Sequence, residues 1–233
     1  MRAFRAAVLA FSLLLGLGSL AQAMEVQPLR VMLVPAEGRT AGTISVNNTR
    51  TDPLPYEISV ERRIIAPDGS QTFTSAEDDF VVFPPQGLIE PGGTQAVRFQ
   101  YLGPIELTET QGYVLRVKEV PVRDENFSGI QFAYSFGAAI YVKPADAEDD
   151  IDINSVARDG DVITVGMANS GNDYSLLTAK RLTFVIDGQR FNYGREELAQ
   201  LIPNPLIAPN SERTLTITIA DLPTGSIEEL RFN

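Results

Sequence analysis

Short segments in which polar and apolar residues alternate, each cut off by turn-forming residues, constrain this chain more than any other feature. Thr43-Ile44-Ser45-Val46-Asn47 alternates with a period of two, as do Tyr56 to Glu61 and Thr214 to Ile219. A period of two puts one set of side chains in a core and the other in water, the pattern of a half-buried strand. Between such segments stand Asn48-Thr49, Pro67-Asp68-Gly69, Pro91-Gly92-Gly93, Asp159-Gly160, Asn169-Ser170-Gly171 and Asp187-Gly188. These residues supply positive φ, fixed φ or local side-chain hydrogen bonds, so they turn the chain. About seven strand-like segments precede Lys143-Pro144 and about six follow, which predicts an all-β protein of two immunoglobulin-like sandwiches. The one helical hint, Glu196 to Leu201, is short.

The two ends of this pattern are marked in different ways. Residues 1–23 read as a secretory signal: Arg2 and Arg5 are followed by an apolar run from Ala6 to Leu20 and by the small-x-small site Ala21-Gln22-Ala23. That run is short for a membrane span, which needs about 20 apolar residues, so no membrane insertion is expected. The boundary between the sandwiches is expected near Lys143-Pro144, giving domains at 24–144 and 147–233. The acidic stretch Glu148-Asp149-Asp150 reads as a solvated linker face, since the Gly and final Glu of a calcium loop are missing.

Composition then removes whole classes of chemistry. The chain has no His and no Cys, which excludes imidazole bases, thiolate nucleophiles, disulfides and most transition-metal sites. No cofactor or metal is expected. Hydrolysis would need a separated carboxylate pair. Asp78-Asp79 and Asp149-Asp150 are adjacent and point to opposite faces of an extended chain, so an enzyme is not expected. A formal charge of -11, becoming -13 when Arg2 and Arg5 are removed, argues against a nucleic-acid partner. A carbohydrate-binding module is disfavoured by the absence of Trp and the scattered Tyr.

Several motifs of residues 25–144, in order, resemble the periplasmic pilus-assembly chaperones of the PapD-like family. Val26 to Val31 is similar to the family's first strand, and Thr43 to Asn48 to its second strand and Asn turn. Pro84-Pro85-Gln86-Gly87-Leu88-Ile89-Glu90-Pro91-Gly92, followed by Gln95, Val97 and Arg98, is the most specific piece. Tyr113 to Pro121 resembles the penultimate strand with its terminal Glu-apolar-Pro. Over the second domain the likeness is weak and rests mainly on Val165 to Gly171. Val122 to Ser128, before the last strand of the first domain, is a short loop, and the absence of Cys agrees with the family's short-loop form or with its archaic branch.

The resemblance implies two immunoglobulin-like domains in a boomerang arrangement, a periplasmic location and binding of pilus (fimbrial) subunits by donor-strand complementation. It further implies delivery of subunits to an outer-membrane usher. Self-association through the donor-strand edge is a further expectation. The donor strand is expected to present Ile130, Phe132, Tyr134 and Phe136 on one face, with Gln131, Ala133 and Ser135 on the other. In an anonymous sandwich the large face would point into its own core. In the family, cations in the cleft anchor the subunit's terminal carboxylate. Arg30 matches the first, but the second falls on uncharged Ala139, so Arg116 and Lys118, two apart on one face of a strand, are candidates to supply that charge. The alternative identity, a pilus subunit or adhesin domain, would require a missing final strand and an alternating N-terminal extension. Neither is seen: Met24 to Gln27 is too short.

Overall fold

A computed structural model describes residues 24–121 and 132–233 of the chain. The strands of the first unit are β1 Met24–Gln27, β2 Arg30–Leu33, β3 Ala41–Asn48, β4 Leu54–Ile65, β5 Gln71–Ser75, β6 Phe80–Phe83, β7 Gln86–Ile89, β8 Thr94–Tyr101, β9 Gln111–Glu119 and β10 Ser135–Val142. One sheet runs β1-β3-β8-β6; the other runs β2-β10-β9-β4-β5, with β7 also paired to β4. Pro28 and Leu29 carry the chain from the first sheet to the second, because Pro28 has no N–H to continue the β1 ladder. The second unit contains β11 Ile151–Asp159, β12 Val162–Asn169, β13 Ser175–Leu176, β14 Leu182–Ile186, β15 Gln189–Tyr193, α1 Arg195–Leu201, β16 Leu206–Ile207, β17 Ser211–Thr218 and β18 Ile227–Phe232. Its sheets run β11-β12-β17 and β15-β14-β18, beside the two-stranded pair β13-β16.

The described residues thus form ten strands before Lys143 and eight after it, more than the alternation alone indicates. Segments of two to four residues such as β1, β7, β13 and β16 are too short to show a period. They exist because a neighbouring strand supplies their hydrogen bonds.

Alternation does decide which faces are buried. Ile44 and Val46 of β3, Val97 and Phe99 of β8, Tyr113, Leu115 and Val117 of β9, and Ala138, Ile140 and Val142 of β10 meet in one core. Ile163, Val165 and Met167 of β12, Phe184 of β14, Leu215 and Ile217 of β17, and Leu198 of α1 meet in a separate one. Both units share one corner device. Asn48, at the end of β3, is buried and donates from Nδ2 to the carbonyls of Asp52 and Ile89 at 2.8 and 2.9 Å, while Oδ1 accepts from the Arg50 N–H. Asn169, at the end of β12, donates to Asp173 and Ala208 and accepts from Asp150 and Gly171. An Asn side chain can satisfy donors and acceptors of three chain segments at once, so each Asn turn is a tertiary staple as well as a local one.

The acidic stretch 148–150 is not a free linker. Asp149 pairs with Lys180 at 2.8 Å, the Ser170 hydroxyl donates to Asp150, and the Glu148 N–H donates to Asn172. Polar contacts also join the two units directly. The Thr110 N–H donates to the Asn172 carbonyl and the Thr214 N–H to the Pro67 carbonyl. Arg213, 5% exposed, lies against the turn at Gly69, where φ is +83° and a Cβ would collide with its guanidinium. Burial lowers the Arg213 pKa, and the nearby Asp68 carboxylate opposes that loss.

Replacing Asn48 by Ala removes both acceptor-satisfying donors at a buried corner. We expect a loss of about 2–4 kcal/mol, read as a lower denaturant midpoint with an unchanged slope.

Candidate functional site

The strand β10 is paired on one side along its whole length and on the other along half of it. It runs antiparallel to β9 from Ser135–Lys118 to Val142–Gln111. Its parallel partner β2 begins only at Ala139, opposite Arg30. The Tyr134 carbonyl accepts from the Glu119 N–H at 2.8 Å, which fixes the even-numbered residues as those bonded to β9. The odd-numbered residues therefore face away, and the Ala139 N–H duly reaches the Leu29 carbonyl at 2.9 Å. Ser135 and Gly137 present their N–H and C=O groups at this open edge with no strand beside them among the described residues. A groove lined by Val26, Pro28, Leu29 and Phe136 runs alongside.

Even-numbered side chains continue the inward face of Ala138, Ile140 and Val142. Phe136 still reaches the core and is half-buried against it. Phe132 and Tyr134 lie beyond the end of the sandwich, 74% and 46% exposed. They share the core's face and have no core left to cover them. Ile130 lies outside the described residues. The expected row of four is therefore resolved into an exposed pair and one residue anchored at home. β10 itself starts at Ser135, later than the sequence pattern suggests.

The segment entering β10 is held in place. The Arg50 guanidinium binds the Glu119 carboxylate, whose side chain is only 7% exposed, and Glu119 Oε2 accepts from the Tyr134 N–H at 3.3 Å. Arg50 is itself set by the Asn48 turn. A buried carboxylate is tolerable only when it is paired and hydrogen-bonded, and here its second bond holds the chain that leads into β10. Sequence reasoning noted Glu119 only as part of a motif. Its partner sits 69 residues away and leaves no local trace.

The cations separate clearly. Arg30 is exposed and has no hydrogen bond or ion pair among the described residues. Ala139 stands directly beside it and adds only a methyl group. Arg116 and Lys118 are not gathered at Arg30: they lie on β9, with β10 between them and β2. Arg116 binds Glu61 and stacks on Phe73 at 4.6 Å, and Lys118 faces Glu57 at 3.9 Å. Each has a carboxylate on the adjoining strand β4, so neither is left to serve the position beside Ala139. Beyond Arg30 lies a pocket walled by Met32, Tyr141 and Lys143 from the first unit and by Asp173, Tyr174, Leu176 and Leu206 from the second. Tyr141 and Tyr174 meet edge to face at 5.3 Å, and burial raises the Tyr174 phenol pKa. Lys143 pairs with Asp173 at 2.5 Å, and Asp173 also accepts from the Thr110 hydroxyl and the Tyr174 N–H.

Among the described residues the fold is thus two β-sandwiches, the first carrying a half-paired strand beside an exposed arginine that has no partner there. A family model described as the pili and flagellar-assembly chaperone, PapD N-terminal domain, matches residues 23–148. The chain belongs to this family, as a PapD-like pilus-assembly chaperone. It is similar in structure to the YadV chaperone, with 15% identity, a TM-score of 0.57, and 90% of this chain and 91% of that one covered. It is similar to the Escherichia coli chaperone DraB at 17% identity and a TM-score of 0.55, covering 91% and 96%. It also resembles a chain of the CsuC–CsuE chaperone–tip adhesion subunit pre-assembly complex of Acinetobacter baumannii, at 13% identity and a TM-score of 0.54, covering 84% and 90%. A comparison with curated proteins found no match.

Glu119→Gln should leave the thermal melt within a few degrees while the amide of Tyr134 exchanges faster with solvent, as measured by NMR. Unchanged exchange would show that the carboxylate does not hold the segment.

Proposed function

We propose that this chaperone captures pilus subunits in the periplasm by donor-strand complementation. In this reading residues 1–23 are its export signal, and 24–144 and 147–233 are its two domains. The observation that carries the reading is the half-paired strand β10, whose Ser135 and Gly137 backbone groups stand open next to exposed Phe132 and Tyr134. An extended client strand that joins this edge gains backbone hydrogen bonds, and alternate donor side chains enter its groove. Burying Phe132 and Tyr134 contributes about 3–6 kcal/mol gross, before the costs of ordering the segment. The alternation of the sequence assigns Ile130, outside the described residues, to the same row. Phe136 stays with its own core and acts as the root of the donor segment.

Arg30 stands where the open edge ends, because β2 occupies the edge from there on. A client strand running parallel to β10 brings its C-terminal carboxylate to that guanidinium. An antiparallel one would bring its ammonium, which like charge repels. Anchoring falls to Arg30 alone, while Arg116 and Lys118 balance the carboxylates of β4. The net negative charge favours clients that are neutral or basic on the docking face. Release to an outer-membrane usher requires no nucleotide, since a better-fitting strand from the next subunit can displace this one. Self-association through the same open edge would shield it when no client is bound.

Co-expression with a secreted pilus subunit tests this. Wild type should co-purify with the subunit. Phe132→Ser combined with Tyr134→Ser should abolish capture and keep a cooperative melt; capture at the wild-type level would overturn the reading. Arg30→Ala should weaken binding roughly 10- to 100-fold, the range of a charge-assisted hydrogen bond of about 1.5–3 kcal/mol. Unchanged affinity would remove Arg30 from the site.

A further inference from the structure

With no Cys in the chain, methionine carries all of its oxidisable sulfur. The methionines among the described residues are placed unevenly. Met24 is 3% exposed in the first core and Met167 is 1% exposed in the second. Met32, on β2, is 50% exposed. The alternation of β2 is the cause. Val31 packs against the first core and Leu33 is buried in it, so Arg30 and Met32 share the outward face. Residues two apart on a strand are about 7 Å from each other, within reach of two long side chains. Both line the hollow between the units, and Tyr141 stands opposite Met32 across the β2–β10 ladder. The hollow holds about 70 Å³, well below a ligand pocket of about 300–1,000 Å³. One added oxygen atom still fits, since a whole water molecule takes about 30 Å³. Of the two cations at this hollow, Lys143 is bound to Asp173 at 2.5 Å. Arg30 has no partner among the described residues and is the donor left for a new acceptor.

We propose that Met32 is a site of reversible oxidation that controls client binding, its sulfoxide oxygen taking hydrogen bonds from the Arg30 guanidinium. The proposal rests on the reading that Arg30 anchors a client carboxylate, and adds to it a modification that weakens the anchor. The oxidant is hydrogen peroxide. A lone pair of Met32 Sδ attacks one peroxide oxygen, and an S–O bond forms as the O–O bond breaks. Sulfur gives up two electrons, and the second oxygen leaves as water with both protons. A thioether is a weak acceptor, so unmodified Met32 makes little demand on the guanidinium. The sulfoxide is polar, and its oxygen is an acceptor on the face that Arg30 shares. A carboxylate on arginine uses two parallel N–H groups of the fork. Turning that edge toward Met32 removes the paired geometry and leaves the charge, so the loss is partial and smaller than that of deleting Arg30. Met24 and Met167 are shielded by the cores around them, which confines the chemistry to Met32 at low oxidant.

The test treats the full mature protein with hydrogen peroxide and follows each methionine by peptide mass spectrometry. Met32 should form its sulfoxide roughly tenfold faster, or more, than Met24 and Met167. Capture of a pilus subunit diluted from denaturant should weaken about 3- to 10-fold on oxidation, the partial loss of a paired charge-assisted bond. It should return after treatment with the two methionine sulfoxide reductases, one for each sulfoxide epimer. Met32→Leu should make capture insensitive to peroxide. Met32→Gln, whose amide oxygen stands in for the sulfoxide, should weaken capture with no peroxide added. The NMR signal of the Arg30 Nε–H, identified by its loss in Arg30→Ala, should move in the oxidised protein and in Met32→Gln. Equal oxidation of Met24, Met32 and Met167, an unmoved Arg30 signal, or undiminished capture by the oxidised protein overturns the proposal. If Arg30→Ala weakens capture by the reduced protein and oxidation does not, only the switch falls. If Arg30→Ala leaves capture unchanged, the anchoring reading falls and takes the switch with it.

Discussion

The organisation of this molecule depends on how the backbone hydrogen bonds of a single strand are shared out. β10 gives one side to β9 throughout and the other to β2 only from Ala139 onward. A buried sandwich normally satisfies every such group, so an open half-edge is a cost that the rest of the domain must hold steady. The holding is done from both ends. Phe136 and Ala138 root the strand in the first core, and the Arg50–Glu119 pair grips the chain where it enters. The exposed rings of Phe132 and Tyr134 are then a consequence of geometry: they continue an inward face past the point where there is an interior.

The second unit contributes through its contact surface. Glycine at position 112 lets the Tyr174 hydroxyl approach where a Cβ would lie 2.8 Å from it. The edge-to-face Tyr141 and Tyr174 rings and the Lys143–Asp173 pair then fix the wall that faces Arg30. Polar contacts of this kind specify one relative placement better than an apolar interface would, because a shifted arrangement leaves charges and amides unpaired. The half-paired strand thus lies on the first unit, while the pocket beyond Arg30 takes its walls from both.

Much of this was legible in the residues. Period-two runs named the strands and their buried faces, and the Asn48 and Asn169 turns were marked before their long-range bonds were known. The resemblance put Ala139 at the place of the family's second cation, and in the fold Ala139 stands opposite Arg30. Other features were beyond sequence reasoning for identifiable causes. Arg116 and Lys118 looked available because their partners, Glu61 and Glu57, lie on β4, more than fifty residues earlier. Phe136 looked equivalent to Phe132 because alternation gives the direction of a side chain and carries no information about where the core stops.

The sequence by itself determined an all-β chain and the faces its strands bury, because those follow from a local period and local turn chemistry. Only the tertiary structure decided, among the described residues, which half of β10 lacks a second partner, which of the three candidate cations has no carboxylate beside it and which leucines line the pocket. Those outcomes depend on neighbours brought together from distant parts of the chain, and hydrogen bonding and charge pairing are settled between neighbours in space.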